Sequence, residues 1–421
     1  MLGGSRRKLA LLWALYFVQG MPYGFQATAL PAYLRDAGMS LTGIGLASAL
    51  SLPWMLKIVW APLVDRYSLP GVGRRRSWIL PLQLVLATTC AAAALVPPDR
   101  SLGLLLALVL GMNLWAATLD VAVDGLAVDL LEPSELGKGN IAQVVGFKVG
   151  MLTGGGLLVW ASATVGWRGL FLGMAGLALA VFLGTLAFRE RDALAAASRT
   201  AATAARLSLR GIVQLLGRAL AQPASAWLVV FIGTYKLGES LADAMFAPFL
   251  IDAGFVPEQI GLWLGTWGML FSIGGSVGGG LLASRVRLLQ AVAITATLRV
   301  APLAGIWWLS LGTPTEAGVV AVTCAEHFFG GALTTALFAY MMSKVDRRIG
   351  ATHYTFLATI EVWGKAPARM ASGAIAEHGS YELLFGLAVF LSAIFLILLA
   401  PLSEHRGRVL GDAPGGDEAA R

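Results

Sequence analysis

The sequence predicts an all-α membrane protein of twelve transmembrane helices arranged as two six-helix pseudo-symmetric halves. Three observations predict it. Of the 421 residues 57% are apolar and only 13% charged, with a mean hydropathy of +0.73, far from the balance of a soluble domain. Basic residues fall on alternate loops. A ten-residue pattern also recurs once at the same place in each half.

Apolar runs of bilayer-spanning length, roughly 20 residues, are expected at 9–33, 41–63, 77–96, 103–129, 140–162, 168–188, 225–251, 258–283, 288–310, 316–342, 351–374 and 381–401. Twenty-two of the 31 Lys and Arg residues lie in loops or termini on one side, among them Arg6, Arg7, Lys8, Arg74, Arg75, Arg76, Lys344, Arg347 and Arg348. The opposite loops hold only Arg35, Arg100 and Arg168. The positive-inside rule then puts both termini of a multi-pass membrane protein in the cytoplasm. The opening MLGGSRRKLALLWALYFVQG mimics a secretory leader, but its apolar run continues through YGFQATAL, and an uncleaved first helix is expected.

The longest polar interval divides the chain into an N-terminal bundle (1–190), a linker (191–224), a C-terminal bundle (225–405) and a tail (406–421). DAGMSLTGIG at 36–45 and DAGFVPEQIG at 252–261 share D-A-G-x-x-x-x-x-I-G, each copy following the first span of its half. Such repeats place any ligand site between the halves, near the midplane.

Twelve charges fall inside the spans: Asp120, Asp124, Glu239, Asp243, Glu326 and Glu361 against Lys57, Lys148, Lys236, Arg299, Lys365 and Arg369. An ionised side chain at the bilayer centre costs at least about 2.5 kcal/mol, so each is expected to face a partner or a cavity. Depth along the helices, at about 1.5 Å per residue, groups Lys57, Asp120, Asp124 and Lys148 in one cluster and Glu239, Asp243, Lys365 and Arg369 in another. Glu361 and Lys365 also stand at i,i+4 spacing. Helical periodicity puts Asn113, Asp120 and Asp124 on one face, Lys236, Glu239 and Asp243 on another, and Tyr16, Gln19, Tyr23 and Gln26 on a polar stripe of the first span.

For Asp120 and Asp124 two readings stand together: a structural ion pair with Lys57 or Lys148, or a carboxylate that carries a proton. Asp129, near the headgroups, is expected to be solvated. His327 beside Glu326 reads either as a packed histidine or as part of a relay. Trp263 and Trp267 read as packing. Gly146, Gly150 and Gly154, and GGSVGGG at 274–280, suit close backbone approach. Cys90 and Cys324 lie in predicted spans and form no framework. HExxH, GxSxG and P-loop motifs are missing, so no metal, cofactor or enzymatic site is expected, and the basic residues read as orientation signals rather than a nucleic-acid surface.

DRYSLPGVGRRR (65–76) resembles the conserved loop between the second and third helices of the major facilitator superfamily. That likeness implies a cytoplasmic gate made by Asp65, Arg66, Arg74, Arg75 and Arg76. The second-half counterpart, GLLASRVR (280–287), has Ser284 in place of the acid. YFVQGMPYGF (16–25), LPWMLKIVWAPLVDRY (52–67), TLDVAVDGLAVDLL (118–131), GFKVGML (146–152), GWRGLF (166–171) and ATHYTFLA (351–358) resemble the AmpG muropeptide permease and acetyl-coenzyme A transporter family across most of the chain. The resemblance implies proton-driven import of an anhydro-muropeptide by alternating access, with Lys57, Asp120, Asp124 and Lys148 as functional positions. Related facilitators that import siderophores share the wording of the first two helices, leaving a siderophore or an acetyl-CoA-like solute as the alternative.

On this basis a charge and proton-coupling network is expected at Lys57, Asp120, Asp124, Lys148, Glu326 and Glu361. Substrate contacts are expected from Tyr16, Gln19, Tyr23, Gln26, Asn113, Lys236, Glu239, Asp243, Lys365 and Arg369. The partners expected are a small-molecule substrate, protons and the lipid bilayer, with the protein acting as a monomer.

Overall fold

A computed structural model describes residues 2–36, 39–40, 47–69, 72–97, 101–188 and 207–400. Residues 191–206 of the predicted linker and the predicted tail at 406–421 lie outside the described residues. Helices occupy every predicted span, and no strand occurs among the described residues. In chain order they are α1 (Leu2–Gly24), α2 (Leu30–Asp36), α3 (Leu52–Leu56), α4 (Ala61–Arg66), α5 (Arg76–Ala93), α6 (Leu102–Leu130), α7 (Leu136–Leu152) and α8 (Leu158–Ala187). There follow α9 (Leu209–Leu220), α10 (Pro223–Thr234), α11 (Leu237–Asp252), α12 (Pro257–Ile260), α13 (Gly268–Arg285), α14 (Leu288–Ser310), α15 (Glu316–Ser343), α16 (Gly350–His378) and α17 (Tyr381–Ile394).

Among the described residues, seven helical segments are long and apolar enough to cross a membrane: Leu102–Leu130, Pro133–Ser162, Thr164–Ala187, Pro257–Arg285, Leu288–Ser310, Glu316–Ser343 and Tyr381–Leu398. The other predicted spans are helical too, but most are charged or broken; the third, in α5, is continuous and carries Gln83, Thr88 and Thr89. The helix α16 carries Glu361, Lys365 and Arg369. The second span divides into a 3-10 turn at Ser48–Ser51, α3, another 3-10 turn at Lys57–Val59, and α4, with Pro53 and Pro62 at the first turns of the two helices. Each proline lacks an N–H and obstructs the preceding turn. Lys57 therefore sits at a break, and so does Lys236, whose φ of −104° and ψ of 7° separate α10 from α11. Within α8, Gly166 at φ 68° and ψ 177° turns the chain sharply, which divides the fifth predicted span from the sixth.

The second copy of the repeated D-A-G ends a helix; Ala37 and Gly38 of the first copy lie outside the described residues. Phe255 N–H donates to Leu250 O at 3.0 Å and Gly254 N–H to Ile251 O at 2.9 Å, with Gly254 at φ +95°. These are the two bonds of a Schellman cap. The equivalent bond in the first half, Met39 N–H to Leu34 O at 2.9 Å, is also present.

Glycines set how closely certain helices meet. A Cβ on Gly150 would lie 2.1 Å from the Phe17 carbonyl oxygen of α1, and one on Gly275 would lie 1.8 Å from the Phe328 carbonyl oxygen of α15. Thr28 Oγ1 donates to Gly155 O at 2.9 Å, joining two π-helical turns, Phe25–Ala29 and Thr153–Leu157, where α1 passes α7. The predicted linker also contains a helix the sequence reading did not place. In α9, Ser208 Oγ caps the start by accepting from Gly211 N–H at 3.0 Å, Ile212 is buried, and Arg210 and Arg218 are exposed.

Because α13 and α15 meet backbone to backbone, Gly275→Ala is expected to destabilise the protein by about 1–3 kcal/mol, read as a lower melting temperature in detergent. Gly278→Ala, whose Cβ would rest at 3.5 Å from Phe328 Cζ, is expected to leave the melting temperature unchanged.

Candidate functional site

One end of the molecule, where the basic loops cluster, is closed by a carboxylate. Asp65 at the end of α4 has no exposed side-chain surface. It accepts from Arg74, from Arg75 Nη1 at 2.9 Å, and from the backbone N–H and Oγ1 of Thr352, each at 2.7 Å, with Ala351 N–H at 3.4 Å. Ala351 and Thr352 open α16, so the anion lies on the positive end of a helix from the other half. Burial alone would raise the Asp65 pKa, but the charges of Arg75 and Arg74 and the Thr352 hydrogen bonds hold it below the usual carboxylate value. Burial and the neighbouring Arg75 push Arg74 down to about 10.

More bonds join the halves at this end. Arg74 Nη2 donates to Arg348 O at 2.9 Å and Arg347 Nη2 to Leu131 O at 2.8 Å. Arg76 turns elsewhere, donating to Thr185 O at 3.4 Å and Phe188 O at 3.3 Å at the end of α8, and Arg66 lies over the Tyr67 ring at 5.5 Å. Asp129, expected to be solvated, instead has a side chain 3% exposed and accepts from Arg75 Nε at 2.8 Å. The loop arginine folds back against α6 and supplies its counter-charge.

Deeper in the N-terminal half, Lys57 pairs with Asp120 and lies 5.6 Å from the Trp54 ring. Trp54 Nε1 donates to Asn113 Oδ1 at 2.9 Å. Asp124 accepts from Tyr16 OH at 2.7 Å and Gln143 Nε2 at 3.1 Å, and Tyr354 OH of α16 donates to Gln143 Oε1 at 3.2 Å. Lys148 departs from the expected grouping. Its Nζ donates to Ser272 Oγ at 2.6 Å, Ser276 Oγ at 2.9 Å and Ser272 O at 3.2 Å on α13, across the division between halves. Depth along a helix gives height, not which way a side chain faces; α7 turns Lys148 towards α13 rather than α6.

In the C-terminal half the charges form a chain. Lys365 Nζ meets Glu361 Oε1 at 2.8 Å, and Glu361 also meets Lys236 at 3.4 Å and accepts from Tyr235 OH at 3.0 Å. Lys236 approaches Glu239 at 3.9 Å; Arg299 Nη1 lies 2.9 Å from Glu239 Oε2 and its Nη2 pairs with Glu326; His327 Nδ1 lies 2.9 Å from Glu326 Oε2. The expected cluster of Glu239 and Asp243 with Lys365 and Arg369 is therefore rearranged. Arg299 takes the central place, Lys365 goes to its own helix neighbour, and Arg369 is exposed with no ion pair among the described residues.

The two sets of charges see one another. Lys57 is within electrostatic reach of Glu361, Tyr23 of Arg369 and Glu361, and Lys148 of Lys236, Glu239, Glu326 and Arg299. Of the stripe on α1 and its π-helical continuation, Tyr16, Gln19 and Gln26 are buried and Tyr23 is part-exposed. Both amide atoms of Gln19 lack a hydrogen-bond partner among the described residues. Sequence reasoning missed Ser272, Ser276, Gln143, Tyr354 and Thr352 as partners. The only available signal was a serine pair at i,i+4 within a glycine-rich helix.

Solved structures of major facilitator transporters share this fold. FucP in the outward conformation matches with a TM-score of 0.68 at 15% identity, over 94% of this chain and 98% of that one. A bacterial homologue of the iron transporter ferroportin, in an outward-facing state, matches with a TM-score of 0.66 at 14% identity, over 94% and 99%. The protein is a multi-pass membrane protein with the fold of these transporters. A family model described as acetyl-coenzyme A transporter 1 matches residues 8–96. The anhydromuropeptide permease of Escherichia coli K12 is 31% identical over 405 residues, 95% of this chain and 81% of that protein. A putative transporter, AmpG 4, of Rickettsia conorii is 23% identical over 93% of this chain and 96% of its own. The chain belongs to the AmpG family of anhydromuropeptide permeases.

Asp65→Asn leaves Arg74 and Arg75 buried with less compensation, a loss of about 3–5 kcal/mol for a broken buried pair. Spin labels at the exposed Ser68 and Ser343 are expected to report longer and broader distances in this variant. Because the Asp65 pKa is depressed, its contribution is complete above the ordinary carboxylate pKa and is lost as pH falls through the folded value. The wild-type label distance is therefore expected to hold at neutral pH and lengthen only in acid.

Proposed function

We propose that this protein is a proton-coupled importer of an anhydro-muropeptide, working by alternating access in the inner membrane as a monomer. In this reading twelve spans form two six-helix halves with both termini cytoplasmic, and the substrate binds between the halves.

The observation that carries it is the position of the hydrogen bonds between halves. From Asp65 and Arg347 inward to Tyr354 and Lys148, each of them lies on the side of the basic loops or no deeper than mid-helix. Charged side chains of both halves face one another beyond that seal. That arrangement supports a carrier closed towards the cytoplasm, with its binding site opening towards the other side.

Tyr23, Asn113, Lys236, Lys365 and Arg369 are the candidate substrate contacts, the cations meeting the carboxylates of a peptide stem. Asp120 or Asp124 is the candidate coupling group: Asp120 already holds a counter-charge in Lys57, whereas Asp124 rests on neutral donors and can exchange its charge for a proton without stranding a cation. The match of residues 8–96 to the acetyl-coenzyme A transporter model favours a second reading, an acetyl-CoA-like anion at the same cations.

Purified protein in proteoliposomes is expected to accumulate a radiolabelled anhydro-muropeptide when the pH outside is lower than inside, and to lose accumulation on addition of a protonophore. Asp124→Asn is expected to abolish gradient-driven uptake while retaining exchange of labelled for unlabelled substrate. Uptake indifferent to the gradient, or a variant that accumulates normally, overturns the coupling; acetyl-CoA uptake in place of the muropeptide selects the second reading.

A further inference from the structure

The C-terminal charge chain is not balanced. Glu239, Asp243, Glu326 and Glu361 stand against Lys236, Arg299 and Lys365. Three of these acids are engaged: Glu361 by Lys236, Lys365 and Tyr235, Glu239 by Arg299 and Lys236, and Glu326 by Arg299 and His327. Asp243 is not. Its carboxylate lies with those of Glu239 and Glu326 so that the three oxygens are within 4.8 Å of one another, and no hydrogen bond or ion pair holds it among the described residues. Its side chain is exposed, one helical turn beyond Glu239 on α11.

We propose that Asp243 is a proton-binding site of the C-terminal half, its proton shared with the Glu239 and Glu326 carboxylates that converge on it. Taking up H⁺ forms one O–H bond, removes one negative charge, and turns Asp243 from an acceptor into a donor aimed at either neighbour. Three carboxylates at this separation repel one another, and protonating one of them relieves that repulsion without a new cation.

A metal ion fits the site less well. The Arg299 guanidinium already contacts two of the three carboxylates, and a divalent cation would have to displace it. Arg299 also supplies the alternative partner. It is 3% exposed, and its Nε has no hydrogen-bond acceptor among the described residues, so an ionised Asp243 that moves inward finds an unused donor. Proton binding and pairing with Arg299 are then the two states of one carboxylate.

The surrounding groups complete the site. His327 Nδ1 lies between two acceptors, Glu326 Oε2 at 2.9 Å and Thr323 O at 3.1 Å, so Nδ1 carries the hydrogen and Nε2 is the free position. Nε2 faces α13 at Gly268, where a Cβ would come within 2.7 Å of it. Lys148 faces the same charges from α7 but spends its donors on Ser272 and Ser276. The α16 groups, Glu361 and Lys365, satisfy each other.

The proposal deepens the coupled-transport reading, and it is tested without any substrate. Infrared difference spectra of the purified full-length protein between acidic and alkaline buffer are expected to contain a protonated-carboxyl stretch. That band should be lost in Asp243→Asn, return at a shifted frequency in Asp243→Glu, and persist in Asp124→Asn. The thermal melt of each variant shows whether it is folded. A folded Asp243→Asn with the wild-type band overturns the proposal, as does a band that only Asp124→Asn removes. Failure of the protein to transport an anhydro-muropeptide would leave these spectra unaffected, so the two readings fail separately.

Discussion

A charge inside a bilayer has to be neutralised by something a helix cannot usually provide for itself, and most of the buried charges here find that partner on another helix. Lys57 of the broken second span meets Asp120 of α6; Arg75 meets Asp129 of α6; Arg299 of α14 reaches Glu239 on α11 and Glu326 on α15. Apolar surface alone gives helices in lipid little reason to choose one neighbour over another. An ion pair does, since mispairing leaves a charge uncompensated. Its net contribution to stability is small against desolvation, so its main effect is to select one packing from many of similar energy. The glycine contacts then fix how near the chosen helices come.

The two halves solve this differently. In the N-terminal half the acids are separated: Asp120 takes the lysine, and Asp124 takes a tyrosine and a glutamine. In the C-terminal half the charges run on as one connected series from Lys365 to His327. Removing one member of a separated pair strands its partner, whereas a connected series can redistribute. The second half therefore has more freedom to alter its protonation and pairing, and the first more reason to remain fixed.

What could be read from the sequence divides along the same physical line. Hydropathy placed helical segments at each predicted span, because it depends on residue type and order alone, but it did not place α9 in the predicted linker. The D-A-G repeat was visible as a pattern, and its cause, a shared helix-ending bond at Leu34 and Leu250, is local enough to have been deduced. The breaks at Lys57 and Lys236 were less visible, since one depends on two prolines acting together and the other has no proline at all. Cross-helix partners were the hardest. Depth estimates grouped Lys148 with Asp120, whereas it faces Ser272 and Ser276. They also put Asp129 at the headgroups without allowing for Arg75 to fold back over it. The pairing of Glu361 with Lys365 was legible because i,i+4 spacing needs no knowledge of the neighbouring helix.

One regularity of the contacts bears on how such a molecule could move. Each ion pair described above lies within a single half. Between halves, the bonds run from Arg74 and Arg347 to backbone carbonyls, from Lys148 to serine hydroxyls, from Thr352 to Asp65, and from Tyr354 to Gln143. Each joins a charge to a dipole, or a dipole to a dipole. When such a bond opens, Asp65 still has Arg74 and Arg75, the carbonyls and hydroxyls are neutral groups that water can satisfy, and Lys148 is the part-buried cation that gives up its hydrogen bonds to the other half. An ion pair across the same boundary would leave two bare charges in the opened cleft, at a cost of several kcal/mol for each ion kept from water. Confining charge neutralisation to each half lets the seal be strong in number yet breakable one bond at a time. That is what the alternating access proposed above requires of two halves rocking about a central site.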